Sequence, residues 1–237
     1  MKQIIALGGG GFSMEPDHPL LDLYILAQSK KAKPKVCFVA TASGDSDSYI
    51  ARFYEAFRQH PCEPTHLSLF HPPTRHLEQF ILDQDIIYVG GGNTKNLLAL
   101  WKEWKLEPIF QKALNQGVIL AGVSAGAICW FEQGVTDSYG DGLEPISALG
   151  FIPGSFCPHY DGEEARRPSY QQLIETDVLR AGIAADDGVA LHYRDNVLHK
   201  VVSSRPEAAA FKVYKDVHLT ETKISSHYLK QHVAENK

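Results

Sequence analysis

The sequence of 237 residues is poor in cysteine and shows no arrangement of cysteines that would bind a metal or form a redox pair. The four cysteines are Cys37, Cys62, Cys129 and Cys157, and none of them forms a C-x-x-C motif or a zinc-like spacing with histidine. We therefore expect reduced cysteines, no disulfide framework and no structural zinc.

Basic charge and long apolar runs are also lacking. The chain has 23 Lys and Arg against 28 Asp and Glu, a net charge of −5, so we expect no nucleic-acid partner. No run approaches the roughly 18 apolar residues of a membrane-spanning helix. Ile4–Leu7 is too short to be the core of a signal peptide. These absences predict a cytoplasmic protein that makes no membrane contact.

The first half of the chain alternates short apolar runs, rich in β-branched residues, with longer amphipathic segments. Runs that are apolar on both faces are typical of parallel strands covered by helices. We therefore predict an α/β fold with a doubly wound, mostly parallel sheet and helices on both faces. The predicted strands are 4–7, 35–40, 66–70, 85–89 and 118–122, and the predicted helices are 20–29, 48–60, 76–82, 96–104 and 106–116.

The second half is less regular. It predicts a helix at 164–175 and extra C-terminal strands, whereas the Pro- and Gly-containing stretch 134–154 is interpreted as a long functional loop. No linker, repeat or low-complexity segment interrupts the chain, so we predict a single domain over residues 1–237. The predicted strands are 155–159, 189–193, 197–203, 211–214 and 217–219.

The strongest chemical signal is the G-x-S-x-G motif at Gly122–Gly126. It follows the predicted strand at 118–122 and precedes an apolar run, Ala127–Phe131, that is predicted to be helical. In this context Ser124 lies on a tight strand-to-helix turn, with its hydroxyl above the carboxyl edge of the sheet. A plain turn with Ser124 as the helix N-cap is the alternative.

A serine nucleophile needs a base, and the sequence offers eleven histidines. His159 is distinguished by its position, because Ser155–Asp161 reads as an apolar strand end stopped by Pro158. That position places His159 at the sheet edge where Ser124 is expected. A hydrogen-bonded structural histidine is the alternative.

A third group should orient the imidazole. The acidic residues between Ser124 and His159 are the candidates, and their spacing does not separate them. They are Glu132, Asp137, Asp141 and Glu144.

A glycine-rich run, Gly90–Thr94, also ends a predicted strand and opens a helix. Glycine lets a backbone amide approach a substrate closely, so the amides of Gly92 and Ala125 are predicted to form an oxyanion hole. Asn93 and Thr94 are assigned to substrate binding. Phosphate binding is the alternative, although neither glycine run completes a nucleotide-binding fingerprint.

Three segments together resemble the peptidase E family of serine peptidases, which includes aspartyl dipeptidase and cyanophycinase. They are Gly90–Thr94, Ser124–Ala127 and Pro158–Tyr160. The resemblance implies the class I glutamine amidotransferase-like (flavodoxin-like) fold and a peptidase that needs no cofactor.

The resemblance also implies roles for individual residues. Ser124 becomes the nucleophile and His159 the base, and Asp137 is assigned as the third member because the family has an Asp in this loop. The expected substrate is a small peptide, with Asp-X dipeptides as the known example. Arg166 and Arg167 are then candidates to bind the substrate carboxylate, unless they are a solvated pair at a helix start.

Several alternatives stay open from the sequence. An acidic stretch, Asp161–Glu164, lies beside the proposed base and would either bind a substrate amino group or repel an acidic substrate. A glutamine amidotransferase-like enzyme would use cysteine where Ser124 stands, and a non-catalytic or regulatory module would need only the fold. No metal is expected, and the apolar late strands are compatible with a homodimer.

Overall fold

The structure is a computed structural model that describes residues 1–230. Its centre is a run of five parallel strands in the order β1-β5-β4-β2-β3. Four of them lie at the predicted apolar runs, and β3 begins three residues before the predicted strand at 66–70. Their bounds are β1 (Gln3–Leu7), β2 (Lys35–Val39), β3 (Glu63–Leu67), β4 (Ile86–Val89) and β5 (Ile119–Val123).

The side chains of β1 alternate between two buried clusters, one on each face of the sheet. Ile4 and Ala6 belong to the first cluster, and Ile5 and Leu7 belong to the second. Successive residues of a strand point to opposite faces, so a strand that is buried throughout has to be covered on both sides. This confirms the doubly wound arrangement.

Helices connect the parallel strands and cover them. Within residues 1–230, none of these helices combines the length and the apolar character needed to cross a bilayer. Their bounds are α1 (Leu20–Leu26), α2 (Asp47–Phe57), α3 (Leu77–Leu82), α4 (Thr94–Glu103), α5 (Leu106–Gln116), α6 (Ala125–Ile128) and α7 (Arg166–Glu175).

Late strands extend the first sheet on the other side of β1. Among the described residues they are β10 (Val189–Arg194), β11 (Val197–Ser203) and β14 (His227–Tyr228). Because β10 runs antiparallel to β1, the start of β10 lies at the edge where the parallel strands end. The Cα partner of Leu7 in this pairing is Ala190.

A second sheet corrects two predictions. The helix after Ser124 ends at Ile128 instead of continuing to Phe131, and about half of the stretch 134–154 is in strands rather than in a loop. Three strands of this sheet overlap predicted strands, whereas the others are stabilised by pairing with segments distant in sequence, so local periodicity did not reveal them. The strand order is β13-β12-β9-β8-β6-β7. The bounds are β6 (Phe131–Thr136), β7 (Glu144–Ser147), β8 (Ile152–Cys157), β9 (Gly182–Ala185), β12 (Ala210–Lys215) and β13 (Leu219–Ile224).

A buried histidine connects the extension of the first sheet to its covering helix. His192 on β10 shares a hydrogen bond of 2.8 Å with the Tyr24 hydroxyl and one of 3.1 Å with Gln3 Oε1. Burial, assisted by the charge of Arg194, lowers the pKa of His192 to about 4. The folded protein therefore keeps this imidazole neutral at pH values where an unfolded chain would protonate it.

This histidine should make stability depend on pH. Below the ordinary histidine pKa of 6.5, His192 binds a proton in the unfolded state but not in the folded state. The contribution of His192 to the free energy of unfolding therefore falls as the pH drops from 6.5 towards 4. Between pH 7.5 and 5, we expect the stability advantage of the parent protein over His192→Gln to shrink by about 2 kcal/mol. Urea unfolding followed by circular dichroism at both pH values measures this.

Asp22 has the opposite effect on the pH dependence of stability, because burial raises the pKa of its carboxyl group to about 7. It is present in both proteins, so its effect cancels in the comparison. An advantage that is the same at pH 7.5 and 5 would contradict the prediction.

Candidate active site

Ser124 lies on a sharp turn between β5 and α6, as the motif predicts. Its backbone has φ 55 and ψ −116, a conformation that is strained for a residue with a side chain. From Val118 to Phe131 it is the only residue that is not buried. The fold thus presents this one hydroxyl at the surface.

The two motif glycines are required by close backbone contacts. A β-carbon on Gly122 would lie 2.0 Å from the carbonyl oxygen of Gly126. A β-carbon on Gly126 would lie 2.2 Å from the carbonyl oxygen of Val89. Because both distances are far below van der Waals contact, only glycine lets the turn pack against itself and against the end of β4.

Two backbone amides beside Ser124 are available to a ligand. Among residues 1–230, neither Gly92 nor Ala125 donates its amide to another group of the protein. Gly92 has φ 137, which favours glycine, and its α-carbon lies against the carbonyl of Ala42. The segment is held there because the Asn93 amide donates to the same carbonyl at 2.8 Å.

His159 follows β8 and lies at the same sheet edge. Its φ is 54, and its amide donates to the carbonyl of Gly8 at 3.2 Å. Its imidazole Nδ1 lies 2.6 Å from Oδ1 of Asp187. Since a carboxylate only accepts, Nδ1 carries the proton in this contact, and in a neutral imidazole Nε2 is then an acceptor without a hydrogen-bond partner among residues 1–230.

The carboxylate of Asp187 is enclosed by two glycine backbones. A β-carbon on Gly9 would lie 2.0 Å from Oδ1, and one on Gly162 would lie 2.1 Å from Oδ2. Side chains at either position would displace the carboxylate. These glycines therefore make room for the contact between Asp187 and His159.

The end of β1 joins the three segments through consecutive carbonyls. The carbonyl of Leu7 accepts the amide of Ser124 at 3.1 Å. The next two carbonyls accept the amide of His159 at 3.2 Å and that of Gly188, which follows Asp187, at 3.1 Å. One short stretch of backbone therefore sets the relative positions of the serine, the histidine and the aspartate.

The assignment of Asp137 as the partner of His159 is wrong. Asp137 is exposed on a turn after β6, where its carbonyl accepts the amide of Gly140. Glu132 binds Arg180 and the amide of Gly154 instead.

Asp141 and Glu144 are exposed as well, and the structure gives neither a bond to His159. The acidic residues predicted from the sequence all lie between Ser124 and His159, whereas Asp187 lies beyond them. Its place follows from the antiparallel pairing of β10 with β1, which no local sequence signal reveals.

Asn93 and Thr94 are used within the fold. Asn93 caps α4 by accepting the amide of Asn96 at 2.8 Å, and its Nδ2 donates to the carbonyl of Ser138 at 3.1 Å. Thr94 is buried, and its hydroxyl accepts a hydrogen bond from Thr136. Both residues hold the turn after β6 against α4, which leaves their polar groups little freedom to bind a substrate.

The two arginines of α7 also have partners. Arg166 is only 3% exposed, donates to Glu163 at 2.6 Å and donates to the carbonyl of Val135 at 3.1 Å. Arg167 is exposed and paired with Glu221. Neither guanidinium is free in the way a carboxylate-binding site would require.

The site offers no alternative sulfur nucleophile or metal-binding group. Burial raises the pKa of the Cys157 thiol, two residues before His159, to about 12 and leaves it uncharged at neutral pH. Within residues 1–230, no three His, Cys, Asp or Glu side chains converge in a way that would hold a metal ion.

Several known proteins are similar to this chain. The model of peptidase family S51 matches residues 4–201. The chain is 60% identical to the uncharacterized peptidase YgaJ of Bacillus subtilis (strain 168), over 92% of this chain and 94% of that protein. It is 33% identical to a probable alpha-aspartyl dipeptidase of Drosophila melanogaster, over 67% of this chain and 64% of that protein.

Solved structures of low sequence identity share the fold. A peptidase from an acI-B1 Actinobacterium has a TM-score of 0.66 at 19% identity, with 95% of each chain covered. A putative peptidase E from Listeria monocytogenes EGD-e has a TM-score of 0.61 at 17% identity, with 87% of this chain and all of that chain covered. The class I glutamine amidotransferase-like fold expected from the sequence is confirmed.

The glycine contacts at the turn can be tested by substitution. Gly126→Ala forces a β-carbon to 2.2 Å from the Val89 carbonyl. We expect it to destabilise the protein by about 2 kcal/mol or more, because the turn or β4 must shift. Urea unfolding measures the change.

Gly91→Ala is the matched control, since its β-carbon would meet Ser124 Cβ at an ordinary 3.4 Å. We expect it to retain the stability of the parent to within about 0.5 kcal/mol. Equal stability of the two variants would contradict the packing argument.

Proposed function

The chain belongs to peptidase family S51 and is a serine-type peptidase, and we propose that it hydrolyses short peptides through Ser124, His159 and Asp187. The resemblance to the peptidase E family is thereby confirmed. The observation that carries the proposal is the 2.6 Å contact between His159 and Asp187 at the edge where Ser124 is partly exposed.

In this mechanism His159 activates Ser124 as the serine attacks. With Nδ1 held by Asp187, Nε2 takes the serine proton while Ser124 Oγ bonds to the carbonyl carbon of the substrate. The amine then leaves with that proton, and water releases the acyl group by the same route in reverse order. Asp187 keeps the imidazole in the required tautomer and stabilises its charged form.

The developing oxyanion needs donors that are already in place. We assign the amides of Gly92 and Ala125 to this task. Two observations support this assignment. Neither amide donates a hydrogen bond within the described residues, and the two amides approach Ser124 from different segments. The first turn of α6 adds the positive end of its peptide dipoles.

The substrate range follows from the partners of the two arginines. An N-terminal aspartate needs a cation for its side chain, but Arg166 is buried against Glu163 and Arg167 is paired with Glu221. We therefore propose that dipeptides are cleaved without a strict requirement for aspartate. The name of the Drosophila relative makes Asp-X dipeptides the comparison of choice.

Substitutions of the three residues test the mechanism. Ser124→Ala should lower kcat/KM on a cleaved dipeptide by at least about 10³-fold, because the nucleophile is lost. Asp187→Asn should lower it by about 10²- to 10⁴-fold, because the amide favours the wrong imidazole tautomer.

Asp137→Asn is the matched control, with an expected change below about twofold, since it lies outside the triad. Full peptidase activity in Ser124→Ala would contradict the proposed mechanism. A larger loss in Asp137→Asn than in Asp187→Asn would reassign the third member.

A dipeptide comparison tests the substrate range. We expect kcat/KM for Asp-Leu and Ala-Leu to differ by less than about tenfold, because no free arginine selects the acidic side chain. Arg167→Ala should leave that ratio unchanged. A preference for Asp-Leu above about 100-fold that disappears in Arg167→Ala would show that Arg167 leaves Glu221 to bind the substrate.

A further inference from the structure

We propose that Arg205 and Asp161 are positioning residues that fix the backbone of Asp187, and hence its carboxylate, against His159. This inference rests on the proposed function, because it assigns a role to the support of the third triad member. Neither residue contacts the imidazole in the structure. Their action is through the peptide groups on either side of Asp187.

The contacts form a closed ring around one residue. Arg205 Nη1 donates to the carbonyl of Asp187 at 3.0 Å, and its Nη2 donates to Asp161 Oδ2 at 2.8 Å. Asp161 Oδ1 in turn accepts the amide of Asp187 at 2.8 Å. One ion pair therefore binds both the amide and the carbonyl of the residue that orients the base.

Neighbouring residues are held by other segments, so Asp187 is the position that depends on this pair. The amide of Asp186 donates to the carbonyl of Ala209 at 3.1 Å. The amide of Gly188 donates to Gly9, and its carbonyl accepts the amide of Ser204 at 2.8 Å. Without Arg205 and Asp161, the peptide groups of Asp187 would lose their only protein partners among residues 1–230.

The geometry requires an arginine rather than any cation. Arg205 uses two nitrogens of one planar group on two different acceptors, whereas an ammonium group is a point charge on a flexible stem. The stem itself packs on the turn, because a β-carbon on Gly188 would lie 2.9 Å from Arg205 Cδ. The guanidinium is thereby directed to the two acceptors.

The same contacts involve the acidic stretch after His159. Both carboxylate oxygens of Asp161 are already bound, one by the Asp187 amide and one by Arg205. Glu163 is paired with Arg166. We therefore assign Asp161 to the support of the triad rather than to a substrate amino group.

A positioning role predicts a loss of activity without a matching loss of stability. The ion pair is partly exposed, at 45% for Arg205 and 32% for Asp161, and exposed pairs contribute little to folding. A displacement of catalytic groups by about 1 Å, in contrast, costs up to about 100-fold in rate. The two effects can be measured separately.

The first measurement is the reaction of Ser124 with a fluorophosphonate probe, which requires no knowledge of the substrate. The serine oxygen bonds to phosphorus, fluoride leaves and His159 takes the proton. Arg205→Ala and Asp161→Ala should each slow labelling by about 10- to 100-fold, while the unfolding midpoint in urea stays close to that of the parent. Asp161→Asn keeps an acceptor for the Asp187 amide but places an NH₂ donor opposite Arg205 Nη2, so it should label more slowly than the parent and faster than Asp161→Ala.

The second measurement is the far-downfield proton NMR signal of His159 Nδ1–H in the free protein. We expect it to broaden or move upfield in Arg205→Ala and Asp161→Ala and to be retained in Asp161→Asn. Arg180→Ala is the matched control, since it removes another exposed ion pair, with Glu132, that does not contact Asp187. It should change neither readout.

Parent-like labelling and NMR signals in Arg205→Ala and Asp161→Ala would overturn the inference. So would an Asp161→Asn variant as slow as Asp161→Ala, because the acceptor for the Asp187 amide would then contribute nothing. Failure of the proposed function is distinguishable, since the parent protein would then not label at Ser124 at all.

Discussion

The candidate site depends on three backbone hydrogen bonds at the end of β1. Consecutive carbonyls of Leu7, Gly8 and Gly9 accept the amides of Ser124, His159 and Gly188. Backbone hydrogen bonds are directional, and Leu7 and Gly8 are themselves paired with β10. The arrangement brings a segment of the second sheet to β5 and the start of β10, which pair with β1 on its two sides. The positions of Ser124, His159 and Asp187 are thus set at one strand end.

Small residues make this convergence sterically feasible. A β-carbon on Gly8 would lie 2.5 Å from the carbonyl oxygen of Ala185, and one on Gly9 would lie 2.0 Å from the Asp187 carboxylate. In the sequence, the glycine run that follows β1 resembles a phosphate-binding loop. In the structure its first two glycines instead allow three backbones to pack around a carboxylate. The role of these two glycines is to leave space for the neighbouring groups.

Charge near the site is largely balanced by local pairs. The acidic stretch after His159 is neutralised in part by Arg205, which binds Asp161, and by Arg166, which binds Glu163. These arginines come from different elements, α7 and the turn after β11, so the balance exists only in the folded chain. The net charge of −5 therefore says little about the charge that a substrate meets.

The sequence by itself determined the parallel half of the first sheet and the strand-to-helix turn of Ser124, because both depend on local patterns. Apolar runs, glycine spacing and a stop at Pro158 are readable without partners, and His159 was selected from eleven histidines on that basis. Only the tertiary structure decided that Asp187, and not Asp137, lies against His159. The physical reason is that the antiparallel pairing of β10 with β1 sets which edge its first residues occupy, and strand pairing is a non-local contact. Of the second sheet, β8, β12 and β13 overlap predicted strands, whereas β6, β7 and β9 were missed for the same reason, since they depend on pairing with distant segments.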